Sequence, residues 1–574
     1  LGGAAVGAAL AIGDGAEAGG AGSVAVGITA LANGAAAVAI GNAVNVAGDN
    51  LVAIGNGIVS AGTESIAIGD VAAAAGAASI AIGNGALSAE EFSIAIGNAV
   101  VNTAGASNVS IGNEITNTAG AGNILIGDSV NNVLGDANIL LGNSITNVGG
   151  AGNIVMGNKS AAALAAGQVV IGNIAASAGV GSIAIGNVAT ADIAGAVALG
   201  NLAIAGGGGA IAIGDGAITG AAVGAIAMGV GAGTGASAGA IAIGNGAGAA
   251  DGINQIVIGN KAAAVKTSTI SIGDNTLATA KGAISIGAGT TANGEDSLAL
   301  VNAVATGEQS MAIGNSTNAR AEQAIAIGPS ANASGSKSLA MGSSAQASNE
   351  SAVALGTSSE SSGISSTAIG DTAKANQTNA AAFGSGAKAI GISSFAMGTL
   401  ANASAANAVA LGQSSFSSAV NASAFGTSAR ATKESAVALG TSSESSGISS
   451  TAIGDSAKAS NLQAIALGAK SISSGNQSIA FGFNATASGE CSVSFGSQSF
   501  TNASGAIAIG PSALSFWSEC NCCWYEYFGY ICQFFCDWCW CNSERYSSRS
   551  DWLPSEYAGG RCDGSWRAGL RVGK

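Results

Sequence analysis

A single glycine, returning at a nearly constant interval, limits what this chain can fold into. It stands at Gly13, Gly27, Gly41, Gly55, Gly69, Gly83 and Gly97, each step fourteen residues. The step lengthens to fifteen through Gly112, Gly127, Gly142, Gly157 and Gly172, returns to fourteen, lengthens again at Gly229, Gly244 and Gly259, and then settles at fourteen to Gly510. Thirty-five of the thirty-six positions are Gly; the other is Val301, which precedes the only thirteen-residue step. Repetition at so short a period makes one repeat one coil of a solenoid, because such a unit buries too little to fold alone and must stack on its neighbours.

The content of a coil selects strands. In Ser65-Ile66-Ala67-Ile68 the isoleucines are two apart and share one face of a strand, with Ala67 on the other. Gly69 ends the strand, and Asn or Asp usually follows, as in Asn42, Asn56, Asp70, Asn84 and Asn98. These residues tolerate positive φ and are expected to close a tight turn. A second glycine about seven residues on (Gly34, Gly48, Gly62, Gly76) marks a second turn. Ninety-one glycines exclude helices. The predicted fold is therefore all-β, a parallel β-roll or β-solenoid of about 36 coils with 14–15-residue repeats over residues 1–515. At roughly 4.8 Å per coil it would extend about 170 Å. The isoleucine face is expected to form a thin core, and the bare alanine face, which lets another chain approach closely, the contact between chains.

Two regions modify the repeat. In the fifteen-residue coils the position of Ala67 holds Ser110, Leu125, Leu140, Val155 and Val170. A wider cross-section is expected there, with neighbouring chains farther apart between about residues 100 and 172 and an apolar seam between them. Later, SAVALGTSSESSGISSTAIGD occurs at Ser351 to Asp371 and again at Ser435 to Asp455, eighty-four residues or six coils apart. Copying in whole coils suits a solenoid, in which each coil meets only its neighbours. Residues 216–250 hold no charge, yet Gly229 and Gly244 keep the repeat there, so they read as coils rather than a membrane span.

Charge and composition exclude several function classes. The net charge is −14 with no basic stripe, which argues against nucleic acid. The absence of histidine removes the usual general base and the commonest zinc ligand, and no catalytic, cofactor-binding or metal residue is assigned. The chain is read as a non-enzyme without cofactor. Glu90 and Glu91 fall where turns are expected and read as solvated. Asp70, Asp128 and Asp371 follow the turn glycine, but Asn replaces them in most coils and the calcium nonapeptide pattern is missing. Gly206 to Gly209 lack the Lys-Ser/Thr of a phosphate loop. The sequons at Asn332 and Asn402 arise from the repeat itself.

The tail breaks every pattern. Residues 516–574 hold all six Trp, all five Tyr and eight of nine Cys, the ninth being Cys491. Cys520, Cys523, Cys536 and Cys539 have zinc-ribbon spacing. Three readings stay open for this segment: translation in a shifted frame, a disulfide or packing cap, and a zinc site.

The units SIAIGDVAAAAGAAS (Ser65 to Ser79), SLAMGSSAQASNES (Ser338 to Ser351) and SIAFGFNATASGECS (Ser478 to Ser492) resemble the YadA-like, or Hep/Hag-type, head repeat of the trimeric autotransporter adhesins over about residues 8–514. The resemblance implies a left-handed roll and a homotrimer. It also implies a cell-surface location, anchored in an outer membrane by a segment outside this chain, with no membrane contact by the head itself. The implied function is attachment to host extracellular matrix or cells. The alternative is a structural fibre shaft, of a phage, a virus or a surface filament, that binds nothing specific.

Overall fold

The computed structural model describes residues 7–515 together with the short strands Ala4–Ala5 and Asn521–Cys523. It divides into two compact units, Leu1–Ala429 and Arg430–Lys574. In the first, thirty coils each present a longer strand of three to five residues, from Leu10–Ile12 to Ser423–Phe425. Most coils add a two-residue strand such as Ala73–Ala74. The second unit repeats the pattern from Val437–Leu439 to Ile507–Ile509, with Asn521–Cys523 paired beyond. Pairing within each unit is parallel and in register by one coil, as in Ile66↔Ile80, Ala67↔Ala81 and Ala73↔Leu87. This is the parallel β-solenoid expected from the glycine period, and the described residues contain no helix. All three readings of residues 516–574, the shifted frame, the cap and the zinc site, rest on a segment that lies outside the described residues except for Asn521–Cys523.

The faces of the strand are the reverse of the expectation. Ala67 is 0% exposed and points inward, whereas Ile66 and Ile68 are half-buried on the outside. Four side chains enter each coil, for example Ser65, Ala67, Ala72 and Ala74, and all four are buried. The reason is space. Strands this short, joined by two tight turns, bring the two sheets so close that most inward positions hold only small groups, the coils that bury Val44, Val46, Leu51 and Ile58 being exceptions. The interior is therefore mainly alanine and serine, and the alanine face is not free to meet another chain. Several of the serines that open the motif are buried with the hydroxyl satisfied: Ser79 Oγ donates to the carbonyl of Gly76 at 2.7 Å, and Ser23, Ser65, Ser310 and Ser394 do the same three residues back at 2.7–2.8 Å, whereas the hydroxyls of Ser297, Ser338 and Ser492 are buried without a partner.

The turn glycine is required twice over. Gly69 has φ 141°, and a Cβ there would lie 2.1 Å from the carbonyl oxygen of Gly83 in the next coil. The left-handed residues are the second after the glycine and the one before the serine, as at Val71 (φ 56°) and Ala78 (φ 54°). Asn42 and Asp70 are therefore not the positive-φ residues that the sequence led us to expect; they belong to the longer strand. At Val301 the corner is one residue shorter and is built from two successive left-handed residues, Val301 (φ 63°) and Asn302 (φ 52°). A φ near +60° admits a side chain at some cost, while one near +140° does not.

The fifteen-residue coils place their extra residue between the short strand and the second turn, so that Gly105 follows Asn102 by three positions where Gly76 follows Ala74 by two. Between about residues 100 and 172 the wider interior is filled by Leu125, Leu140, Val155 and Val170 facing Val100, Ile115, Val130 and Ile145, all fully buried, while the later fifteen-residue coils keep Ala227 and Ala242 inside. The bulk thus fills the coil's own core and does not form a seam between chains. Beside it run buried asparagines. Asn147 Nδ2 donates to Asn132 Oδ1 at 2.6 Å and Asn132 Nδ2 to Asn117 Oδ1 at 2.7 Å, while the backbone N–H groups of Asn123, Asn138 and Asn153 donate to the Oδ1 of Asn108, Asn123 and Asn138 at 2.9 Å. The buried amides supply one another's partners, the Asn117 Nδ2 group excepted.

Candidate interaction surface

With alanine inside, the outward side chains of the longer strand become the most distinctive surface. In the first unit they form two parallel files, one through Ile66, Ile80 and Ile94 and one through Ile68, Ile82 and Ile96, and their register partners continue as Val, Ile, Leu and Met to Leu339 and Met341. Neither file carries a charge at any coil of either unit. All five methionines, Met156, Met228, Met311, Met341 and Met397, stand in these files. Aromatic residues enter later: Phe383 and Phe395 lie 5.7 Å apart and tilted, and in the second unit Phe481 stacks on Phe495 at 4.7 Å. Ile54, Ile126, Ile258 and Met341 in these files are 38, 39, 38 and 42% exposed, and an apolar face carried along thirty coils is of the kind that marks an interaction site.

One edge of this surface is bordered by the Asn/Asp column. Asn42 Nδ2 donates to Asn56 Oδ1 at 2.9 Å and Asn56 Nδ2 to Asp70 Oδ1 at 2.7 Å. Asn98 donates to Asn113 and Asn113 to Asp128 at 2.7 and 2.6 Å; Asn187 donates to Asn201 and Asn201 to Asp215 at 2.8 and 2.6 Å. These runs end on Asp because a carboxylate accepts from one coil and has no N–H to offer the next. The recurrence of Asn after the turn glycine is the sequence signal for such a ladder, since identical side chains stacked on a parallel sheet meet one another.

The short strands present a different face. Its outward column is Leu31, Asn45 and Val59 early in the chain and becomes Gln346, Glu360, Lys374 and Lys388 later in the same unit. Lys374 Nζ lies 2.8 Å from Glu360, and in the copied segment Lys458 lies 3.9 Å from Glu444. These partly exposed pairs contribute at most about 1 kcal/mol each.

The carboxylates weighed for chemistry stay apart. Asp70 and Asp128 accept ladder bonds, Asp371 accepts from the N–H of Thr357 at 3.0 Å, and Glu90 and Glu91 occupy a turn. Among the described residues no three His, Cys, Asp or Glu side chains are grouped to hold a metal ion. Asn332 and Asn402 lie on short strands, half-buried in the outward column. The Gly206–Gly209 run is a corner of the solenoid, where the Gly206 N–H donates to the carbonyl of Thr219.

The model of the YadA head domain repeat matches residues 8–43, 60–99, 177–203, 278–300, 305–331, 333–359, 361–387, 389–415, 417–443, 445–471 and 473–513, more than half of the chain. The stretches between these matches include 100–176 and 204–277, which contain the fifteen-residue coils. No curated protein matches the chain. Most of these matches span about two successive coils of the solenoid, and the chain belongs to the YadA head family.

Proposed function

We propose that this chain is the head of a trimeric surface adhesin: three copies join through the outward apolar files, and the assembled head attaches the cell that displays it to host matrix or cells. The family, which is typical of structural adhesins rather than enzymes, supports a surface-exposed, adhesin-type protein. The observation that carries the assembly is the uncharged double file of isoleucine, valine, leucine and methionine, too extensive for a face left in water. A partner that covers it must offer apolar groups at the same coil spacing, and another copy of the chain does so.

Light scattering of the full chain is expected to give three times the 53.9 kDa chain mass. Beads coated with this assembly are expected to bind immobilised extracellular-matrix proteins or cultured cells above an albumin-coated control. A single-chain mass overturns the assembly. A trimer that binds no matrix protein and no cell overturns the adhesin reading and favours a structural shaft.

A further inference from the structure

A solenoid that meets its sisters through a uniform file has a register problem. Sliding one copy by a coil exposes one coil at each end and leaves the remaining contacts nearly unchanged. From Leu10 to Met341 the first unit's two files are Ile, Val, Leu and Met throughout, which distinguishes coils poorly.

The files stop being uniform near the end of that unit. In one file Thr367, Ala381 and Phe395 are register neighbours; in the other, Ile369, Phe383 and Met397. The coil at residues 381–383 therefore sets a dent, Ala381, beside a projection, Phe383, which leans toward Phe395 with ring centroids 5.7 Å apart. Three coils on, Ser423 and Phe425 repeat the arrangement of small beside large. Both coils keep alanine inside, at Ala382 and Ala424, so the exchange of sizes serves nothing in the chain's own core.

We infer that Ala381–Phe383 and Ser423–Phe425 are register keys: Phe383 of one copy seats over Ala381 of the next, and Phe425 over Ser423, only when the copies stand level. A slip of one coil sets Phe383 against Phe395 or the branched Thr367. The first overpacks the interface, and both set Ala381 against Ile369 or Met397, which fill its dent less fully than the ring of Phe383. The inference rests on the trimer proposed above.

The test uses the full chain with the photo-crosslinking residue p-benzoylphenylalanine at Ile327, an outward position four coils from Phe383. Chains of natural and heavy isotope content are co-expressed, so that links between copies are distinguished from links within one. In the otherwise unaltered chain, links between copies are expected on the coil of residues 325–327 alone. In the Phe383→Ala, Phe425→Ala chain the trimer mass is retained, while same-coil links fall to about one third as neighbouring registers become comparable. A Phe383→Leu, Phe425→Leu chain keeps the bulk and stays level. Links confined to one coil in the alanine chain overturn the keys while leaving the trimer standing; a single-chain mass for the unaltered protein overturns both.

Discussion

Gly69 and Gly85 carry the same side chain for different reasons. Gly69 combines φ 141° with a neighbour 2.1 Å from any Cβ, whereas Gly85, at φ 65°, has only Ala99 Cα within 4 Å, and its column holds Val71 and Ala99 in adjacent coils. Gly69→Ala is expected to cost about 3 kcal/mol or more, and Gly85→Ala less than about 1 kcal/mol. Because a solenoid need not unfold in one step, the measurement is hydrogen exchange: amides of the coils around residues 66–83 should exchange ~100-fold faster in the first variant and nearly unchanged in the second. The ladder gives a change of opposite sign. Asp70→Asn restores an N–H donor toward Asn84 and joins two runs that Asp70 now separates. It is expected to stabilise these coils by about 1 kcal/mol, seen as slower exchange at the same amides.

Between about residues 100 and 172, the longer coil and the larger inward side chain come together. Leu125→Ala empties part of the widened core and is expected to cost about 2–5 kcal/mol, read as faster exchange confined to the fifteen-residue coils near it. Ala67→Leu adds bulk to a fourteen-residue coil whose other inward groups are Ser65, Ala72 and Ala74, and is expected to destabilise by about 1–3 kcal/mol. The same matching explains what the sequence could and could not say. The period, the strands, the two turns and the parallel stacking follow from Gly69 and its copies alone. The alternation Ile66-Ala67-Ile68 defines two faces but does not say which one is inside, because that depends on the distance between two sheets that belong to different parts of the coil. A signal was present in the longer coils, where the Ala67 position gains Leu125 and Leu140 just as the coil gains a residue: an outward position would not have needed the extra length.

For each unit as a whole, the reversal changes what the surface is for. Alanine seams between sister chains would have been narrow and close; under the proposed assembly the isoleucine files are what sister chains cover, and the borders of Asn and Asp on one side limit how far that cover extends. The apolar stripe was legible in composition, since every coil repeats it, but its role was assigned to the wrong side of the strand for the reason just given. The five methionines now serve as built-in reporters, because all lie in these files, with Met228, Met341 and Met397 37, 42 and 43% exposed on the single chain. Mild peroxide oxidation of the native protein, followed residue by residue by mass spectrometry, tests directly whether sister chains cover this face. All five methionines should oxidise much more slowly than in the unfolded chain; oxidation of Met228, Met341 and Met397 at the unfolded rate would contradict a covered face.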